Sequence, residues 1–125
     1  MTVYEGGCHC GQVRFRLTKP QDVTEAIACN CSLCSKKGIL IVAAEETELE
    51  VTQGEESLTR YQFGSKTASH WFCNGCGIHV MTRPRMNPHR FGVNARCFDG
   101  FHAMQAGLTI VPFDGQNHPK DRVLS

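Results

Sequence analysis

The chain has 125 residues, 41% hydrophobic and 20% charged, which bounds it to one domain, 1–125, with one modest core. Its formal net charge of +1 leaves no broad basic footprint and argues against nucleic acid as a partner, and no uninterrupted apolar run is long enough to span a membrane. Met1-Thr2-Val3-Tyr4-Glu5 lacks the basic start and apolar stretch of a secretory signal, so a cytoplasmic setting is expected, where eight cysteines point to metal before disulfides.

The first cysteines fall in Gly7-Cys8-His9-Cys10-Gly11. From Gln12 to Thr18 the chain alternates, with Val13, Phe15 and Leu17 on one side and Arg14, Arg16 and Thr18 on the other, the pattern of a half-buried strand. Lys19-Pro20-Gln21-Asp22 reads as a turn, and Val23 to Cys29 as a weaker strand leading into Cys29-Asn30-Cys31-Ser32-Leu33-Cys34. Ser32 to Gly38 suits one short helical turn stopped by Gly38, with Lys36 and Lys37 adding positive charge near it, either for an anion or simply solvated. Ile39 to Ala44 is an apolar run, expected to be a buried strand. Glu45 to Glu56 carries six glutamates and is read as a solvated face around an outer strand, Leu49 to Thr52, and a Gly54 turn.

Leu58 to Phe63 alternates again before Gly64. Thr67 to Phe72 and Ile78 to Thr82 are strands on either side of Cys73-Asn74-Gly75-Cys76-Gly77, the strand–knuckle–strand layout of a zinc ribbon. Arg83 to Arg90 is a proline-containing loop, Phe91 to Cys97 a strand, Asp99-Gly100 a turn and Leu108 to Phe113 the last strand. A loose tail is expected over about 114–125. Glycines are frequent and long helical periodicity is missing, so the fold class is mainly β, a single domain closed around metal.

Four thiols in two similar pairs, Cys8/Cys10 and Cys73/Cys76, suit one tetrahedral structural zinc, although spacing alone leaves other groupings open. Cys29, Cys31 and Cys34 then form a second cluster with three obvious thiols. Its fourth ligand is either a side chain, from Cys97, His9, His70, His79 or His102, or an open position of the kind reactive zinc sites keep. Cys97 otherwise reads as a buried, inert thiol, and the Cys73/Cys76 pair as a redox motif lacks the usual βαβ setting.

Gly7-Cys8-His9-Cys10-Gly11-Gln12-Val13-Arg14-Phe15, Cys29-Asn30-Cys31-Ser32-Leu33-Cys34-Ser35-Lys36 and Phe72-Cys73-Asn74-Gly75-Cys76-Gly77 resemble the family of glutathione-dependent formaldehyde-activating enzymes, which includes centromere protein V. Tyr61-Gln62-Phe63-Gly64, Gly77-Ile78-His79 and Arg83-Pro84-Arg85-Met86-Asn87-Pro88 look closer to its short centromere protein V-like branch. The resemblance runs to about Phe113. It implies an Mss4-like β-tent, a structural zinc on Cys8, Cys10, Cys73 and Cys76, and a second, catalytic zinc on Cys29, Cys31 and Cys34. It also implies condensation of formaldehyde with glutathione to S-hydroxymethylglutathione, a carbon–sulfur lyase reaction, with glutathione as co-substrate.

The physical chemistry is coherent with that. A thiol entering an open position on zinc loses its proton and attacks a small aldehyde, or the ion polarises the carbonyl. His9, His70 or His79 would shuttle a proton, and Arg83, Arg85 and Arg90 would grip the carboxylates of a glutathione-like tripeptide, unless they belong to a solvated loop. Two rivals are a non-catalytic zinc-stabilised binding module for protein or nucleic acid, and a thiol oxidoreductase that uses Cys97 as its nucleophile.

Overall fold

The computed structural model describes residues 1–64, 66, 68–84 and 89–115. Strands β1 (Thr2–Gly7), β2 (Arg14–Lys19) and β5 (Leu49–Gln53) form a three-stranded sheet in the order β1-β2-β5. Strands β3 (Glu25–Cys29), β4 (Ile41–Glu45), β6 (Leu58–Tyr61), β7 (Ser69–Cys73), β8 (His79–Arg83), β9 (Arg90–Asn94) and β10 (Thr109–Phe113) form a second sheet in the order β10-β3-β4-β9-β8-β7-β6. Helix α1 (Ser32–Lys37) links β3 to β4, and helix α2 (Phe101–Met104) precedes β10. The chain is therefore mainly β, as its composition suggested, with two open sheets. No helix among the described residues is long and apolar enough to cross a membrane.

The core lies where the apolar faces of the two sheets meet. The alternation in β2 is realised as expected: Val13, Phe15 and Leu17 are between 0% and 1% exposed, and pack with Val80 and Val93 of the larger sheet. The Ile39–Ala44 run is less uniform than its sequence suggested. Val42 and Ala44 are buried and Ala43 is exposed, so β4 has one wet face.

Strand β1 was not legible in the sequence because it does not alternate cleanly. Val3 faces solvent, while Tyr4 stacks on Phe98 at 5.2 Å and its hydroxyl accepts a hydrogen bond from Val23 N at 2.8 Å. Strand β9 ends three residues earlier than the apolar pattern suggested. The Asn94 side chain accepts from Arg96 N (3.2 Å) and caps a 3-10 turn over Ala95–Cys97. Helix α2 was missed as well, being only four residues long.

Four of the six glutamates from Glu45 to Glu56 pair with basic side chains, and all but Glu48 are exposed. Glu45 bridges Arg90 (2.7 Å), Glu46 bridges Arg83 (3.3 Å), Glu48 bridges Lys19 (2.8 Å) and Glu50 bridges Arg16 (3.3 Å). The exposed pairs of Glu45, Glu46 and Glu50 contribute about 0–1 kcal/mol each, so they shape the surface more than they hold the fold.

Gly6 marks a close approach of β1 to the rest of the molecule. A Cβ there would meet the Cys97 carbonyl oxygen at 2.3 Å and Phe15 Cζ at 2.7 Å. Backbone cannot yield as a flexible side chain would. Gly6→Ala is expected to lower stability by about 1–3 kcal/mol, read as a drop in the urea midpoint at unchanged slope. An unshifted midpoint would mean that β1 can move aside freely.

Candidate metal centres and the adjoining cavity

The first cluster joins the two sheets. Cys8 and Cys10 sit in the loop between β1 and β2, and Cys73 and Cys76 in the turn between β7 and β8. Local hydrogen bonds fix both loops: Cys8 N donates to Val13 O (3.1 Å), Cys73 N to Ile78 O (3.0 Å) and Gly77 N to Cys73 O (2.8 Å). Gly77, at φ +77, supplies the left-handed residue that closes the second turn. The four sulfurs all lie within 4.8 Å of one another. Cys8 to Cys10 is 3.6 Å and Cys10 to Cys73 is 3.7 Å.

These distances fit an ion. Thiolates bound tetrahedrally at about 2.3 Å stand roughly 3.8 Å apart along each edge. Backbone N–H groups also serve the sulfurs, Val13 N to Cys8 Sγ and Gly75 N to Cys73 Sγ, both at 3.3 Å, as charged thiolates need. All eight cysteines are free, which leaves no place for a disulfide framework.

The second cluster is built on the end of β3 and the start of α1. Cys31 caps the helix, its sulfur accepting from Cys34 N at 3.3 Å, and Cys29 Sγ accepts from Cys31 N at 3.5 Å. Gly38, at φ 64, closes the other end by donating to Cys34 O at 3.0 Å, the stop its sequence position suggested. Cys29, Cys31 and Cys34 bring their sulfurs within 4.8 Å of one another. Hydrogen bonding from Cys29, and next from Cys34, holds Cys31 far below the ordinary thiol range, whereas the contacts with Cys29 and Cys31 push Cys34 up. The three sulfurs form a set of soft donors suited to a thiophilic ion.

Among the described residues, no fourth histidine, cysteine or carboxylate joins this cluster. The side chains considered for that role lie elsewhere. His9 and His102 are exposed, and His70 and His79 are committed to Thr82, at 3.3 and 3.0 Å. Cys97 is near the first cluster and donates to the His79 carbonyl at 3.4 Å. Burial first, then the charges of Cys8 and Cys76, push its thiol up to about 12, so Cys97 is poorly suited to act as a thiolate nucleophile.

Asp114 and Gly115 depart from the loose tail that was expected there. β10 runs parallel to β3 with Phe113 opposite Cys29, which delivers the following residues onto the cluster. Asn30 N donates to Phe113 O (3.1 Å) and Asn30 Nδ2 to Asp114 Oδ1 (3.2 Å). A Cβ on Gly115 would stand 2.6 Å from Cys29 Sγ. The remainder of the expected tail, 116–125, lies outside the described residues.

A cavity of about 570 Å³ opens between the two loops and the end of α1. Its wall includes Cys8, Lys37, His79, Asn94, Arg96 and Cys97. Cys29, Cys31 and Cys34 do not line it. Sequence reading named Lys37 and His79 but not the wall that unites them, and it missed Arg96, whose Nε donates to Gly38 O at 3.0 Å. Burial first, then the charges of Lys37 and His70, bring His79 down to about 3, so it stays neutral near pH 7 instead of titrating there as expected. The arginines expected to grip carboxylates are differently engaged. Arg83 and Arg90 pair with Glu46 and Glu45, Arg83 also stacks over Phe91 at 4.8 Å, and Arg85 lies outside the described residues.

The sequence pattern of the family described as glutathione-dependent formaldehyde-activating enzyme matches residues 3–111. A Halomonas elongata protein provisionally named as such an enzyme is 32% identical over 80 residues, 58% of this chain and 50% of that one. The chain thus spans about half the length of the curated relative it matches. A crystal structure of a Rhodobacter sphaeroides protein superposes with a TM-score of 0.77 at 39% identity, covering 86% of this chain and 97% of that one.

Proposed function

Since the chain belongs to the family of glutathione-dependent formaldehyde-activating enzymes, we propose that it is a zinc-dependent enzyme of the carbon–sulfur lyase class, which joins a glutathione-like thiol to a small aldehyde or breaks the resulting S-hydroxymethyl adduct. The observation that carries this reading is the inequality of the two clusters. Cys8, Cys10, Cys73 and Cys76 suffice to complete one coordination sphere, and Cys29, Cys31 and Cys34 leave a position over. In this reading the four-thiol cluster holds a structural zinc and the three-thiol cluster a second, catalytic one.

Zinc at the second cluster supplies a Lewis-acid position that acidifies an incoming thiol and polarises a carbonyl. The chain's own residues orient and shield that position. Cys31 is held by its capping hydrogen bond from Cys34 N, so its sulfur direction is set by the helix. Gly115 lies close against Cys29 and Cys31 on one side, where a Cβ would crowd Cys29 Sγ. Arg96 sets positive charge in the cavity wall, where the carboxylates of a tripeptide thiol would be drawn. In the reaction the sulfur attacks the aldehyde carbon, a C–S bond forms, and the carbonyl π pair passes to oxygen, which takes a proton. A chemistry of free thiols would favour a reducing compartment such as the cytoplasm.

Calorimetric titration of glutathione into the zinc-loaded protein tests this directly. Heat that vanishes with the S-methylated tripeptide is expected, together with faster appearance of S-hydroxymethylglutathione from labelled formaldehyde by NMR. Absence of both at millimolar ligand would remove the proposed reaction.

Gly115→Ala gives a narrower prediction. Its new Cβ would crowd Cys29 Sγ, and disturbing groups that orient a ligand typically costs 10–100-fold in metal affinity. Competition with a chromogenic chelator should show one zinc weakened by about that factor and the other unchanged. Two unchanged affinities would mean that the Asp114–Gly115 segment swings clear of the cluster.

A further inference from the structure

Lys37 Nζ lies 2.8 Å from His79 Nδ1, and both residues line the cavity. From His79 a polar line continues inward: Nε2 is 3.0 Å from Thr82 Oγ1, which is 3.3 Å from His70 Nδ1. His79, Thr82 and His70 are all buried, at 5%, 8% and 6% exposure. With Lys37 donating to Nδ1, the proton on His79 sits on Nε2 and is donated to Thr82, whose hydroxyl donates to His70. Each group then donates once and in one direction.

This setting differs from that of an ordinary surface lysine. Lys37 is half-buried, whereas its neighbour Lys36 is exposed. Its hydrogen-bond partner is a neutral imidazole, and among the described residues no carboxylate bridges to it. Desolvation therefore works against the ammonium, and the amine is favoured more than in water. A half-desolvated amine fixed in a cavity wall is the arrangement that makes a lysine nucleophilic towards carbonyl compounds.

We infer that Lys37 is a covalent capture site for the small aldehyde, which it holds in the cavity beside His79 and delivers to the thiol. The choice of aldehyde and thiol rests on the proposed function; the placement of the amine does not. The Nζ lone pair attacks the aldehyde carbon and a C–N bond forms. The carbonyl π pair passes to oxygen, which takes the proton the amine sheds, giving a carbinolamine. Protonation of that hydroxyl and loss of water leave an iminium. The thiolate adds to its carbon, forming the C–S bond and returning the π pair to Nζ. Water then replaces the amine: a C–O bond forms, the C–N bond breaks, and Nζ leaves with a proton from that water. No oxidant or reductant is consumed.

Reductive trapping reads the capture step. The zinc-loaded protein is exposed briefly to substoichiometric isotopically labelled formaldehyde with cyanoborohydride, and methylation is mapped by peptide mass spectrometry. Lys37 is expected to methylate faster than the exposed Lys36, because desolvation favours its free amine. Lys37→Arg keeps a long polar side chain at the end of α1 but cannot form an iminium, and its condensation rate should fall with zinc content and circular dichroism unchanged. Equal labelling of Lys37 and Lys36 overturns the capture, even in a protein that condenses thiol and aldehyde. Selective labelling with an undiminished Lys37→Arg rate overturns the delivery. Selective labelling in a protein with no condensation at all supports the capture while removing the proposed function, so the two ideas fail separately.

Discussion

Replacing Cys73 with serine is expected to leave the chain unfolded at 25 °C. Cys73 is fully buried, its sulfur 3.7 Å from that of Cys10, in the cluster that ties the β1–β2 loop to the β7–β8 turn. Those loops belong to different sheets, and the core packed between the sheets depends on their staying together. Binding of a structural zinc supplies on the order of 10 kcal/mol of folding free energy, judged from finger peptides. A domain of this size has a total stability of about 5–15 kcal/mol, so the loss is comparable to the whole. Serine oxygen is too hard a donor to stand in for the thiolate. Zinc content and proton NMR dispersion would show the result. A cooperative melt within a few degrees of the parent's would mean that the sheets hold without the ion, and that the first cluster is not structural.

Cys31→Ser should behave in the opposite way, folding normally but losing the second ion and the condensation activity by at least about 100-fold, as removal of a catalytic metal's ligand does. The reason that the fold survives is local. Cys31 caps α1 through its side chain, and serine is among the preferred capping residues, so the hydrogen bond from Cys34 N passes from sulfur to oxygen. Cys31→Ala removes cap and ligand together and should cost about 1 kcal/mol more in stability. Measured side by side, the Cys31 and Cys73 variants separate a reactive centre from a structural one. If both came out equally misfolded, that division would be wrong.

Much of this was legible beforehand because it is local chemistry. The period of two through Val13, Phe15 and Leu17 marks a one-sided strand whatever it packs against. Two short-spaced thiol pairs, a separate cluster of three thiols, and a glycine stop after Lys37 are set by ligand type and backbone freedom within a few residues. Where such signals were weak the reading failed. β1 has Val3 on its wet face, α2 is a single turn, and β9 stops at a cap that apolar periodicity does not register.

By itself, then, the sequence determined the mainly β class, the strands of clear alternation, the thiol clusters that could hold a metal, and the family. Only the tertiary structure decided which distant groups meet. Sheet register sets Phe113 opposite Cys29 and so lays Gly115 on the second cluster. It also assigns Arg83 and Arg90 to glutamates instead of a ligand, and it brings Lys37 to His79 across 42 residues of chain. The physical reason is one of range. Periodicity, caps and ligand spacing act over a few residues, whereas a cavity wall depends on how two sheets pack together.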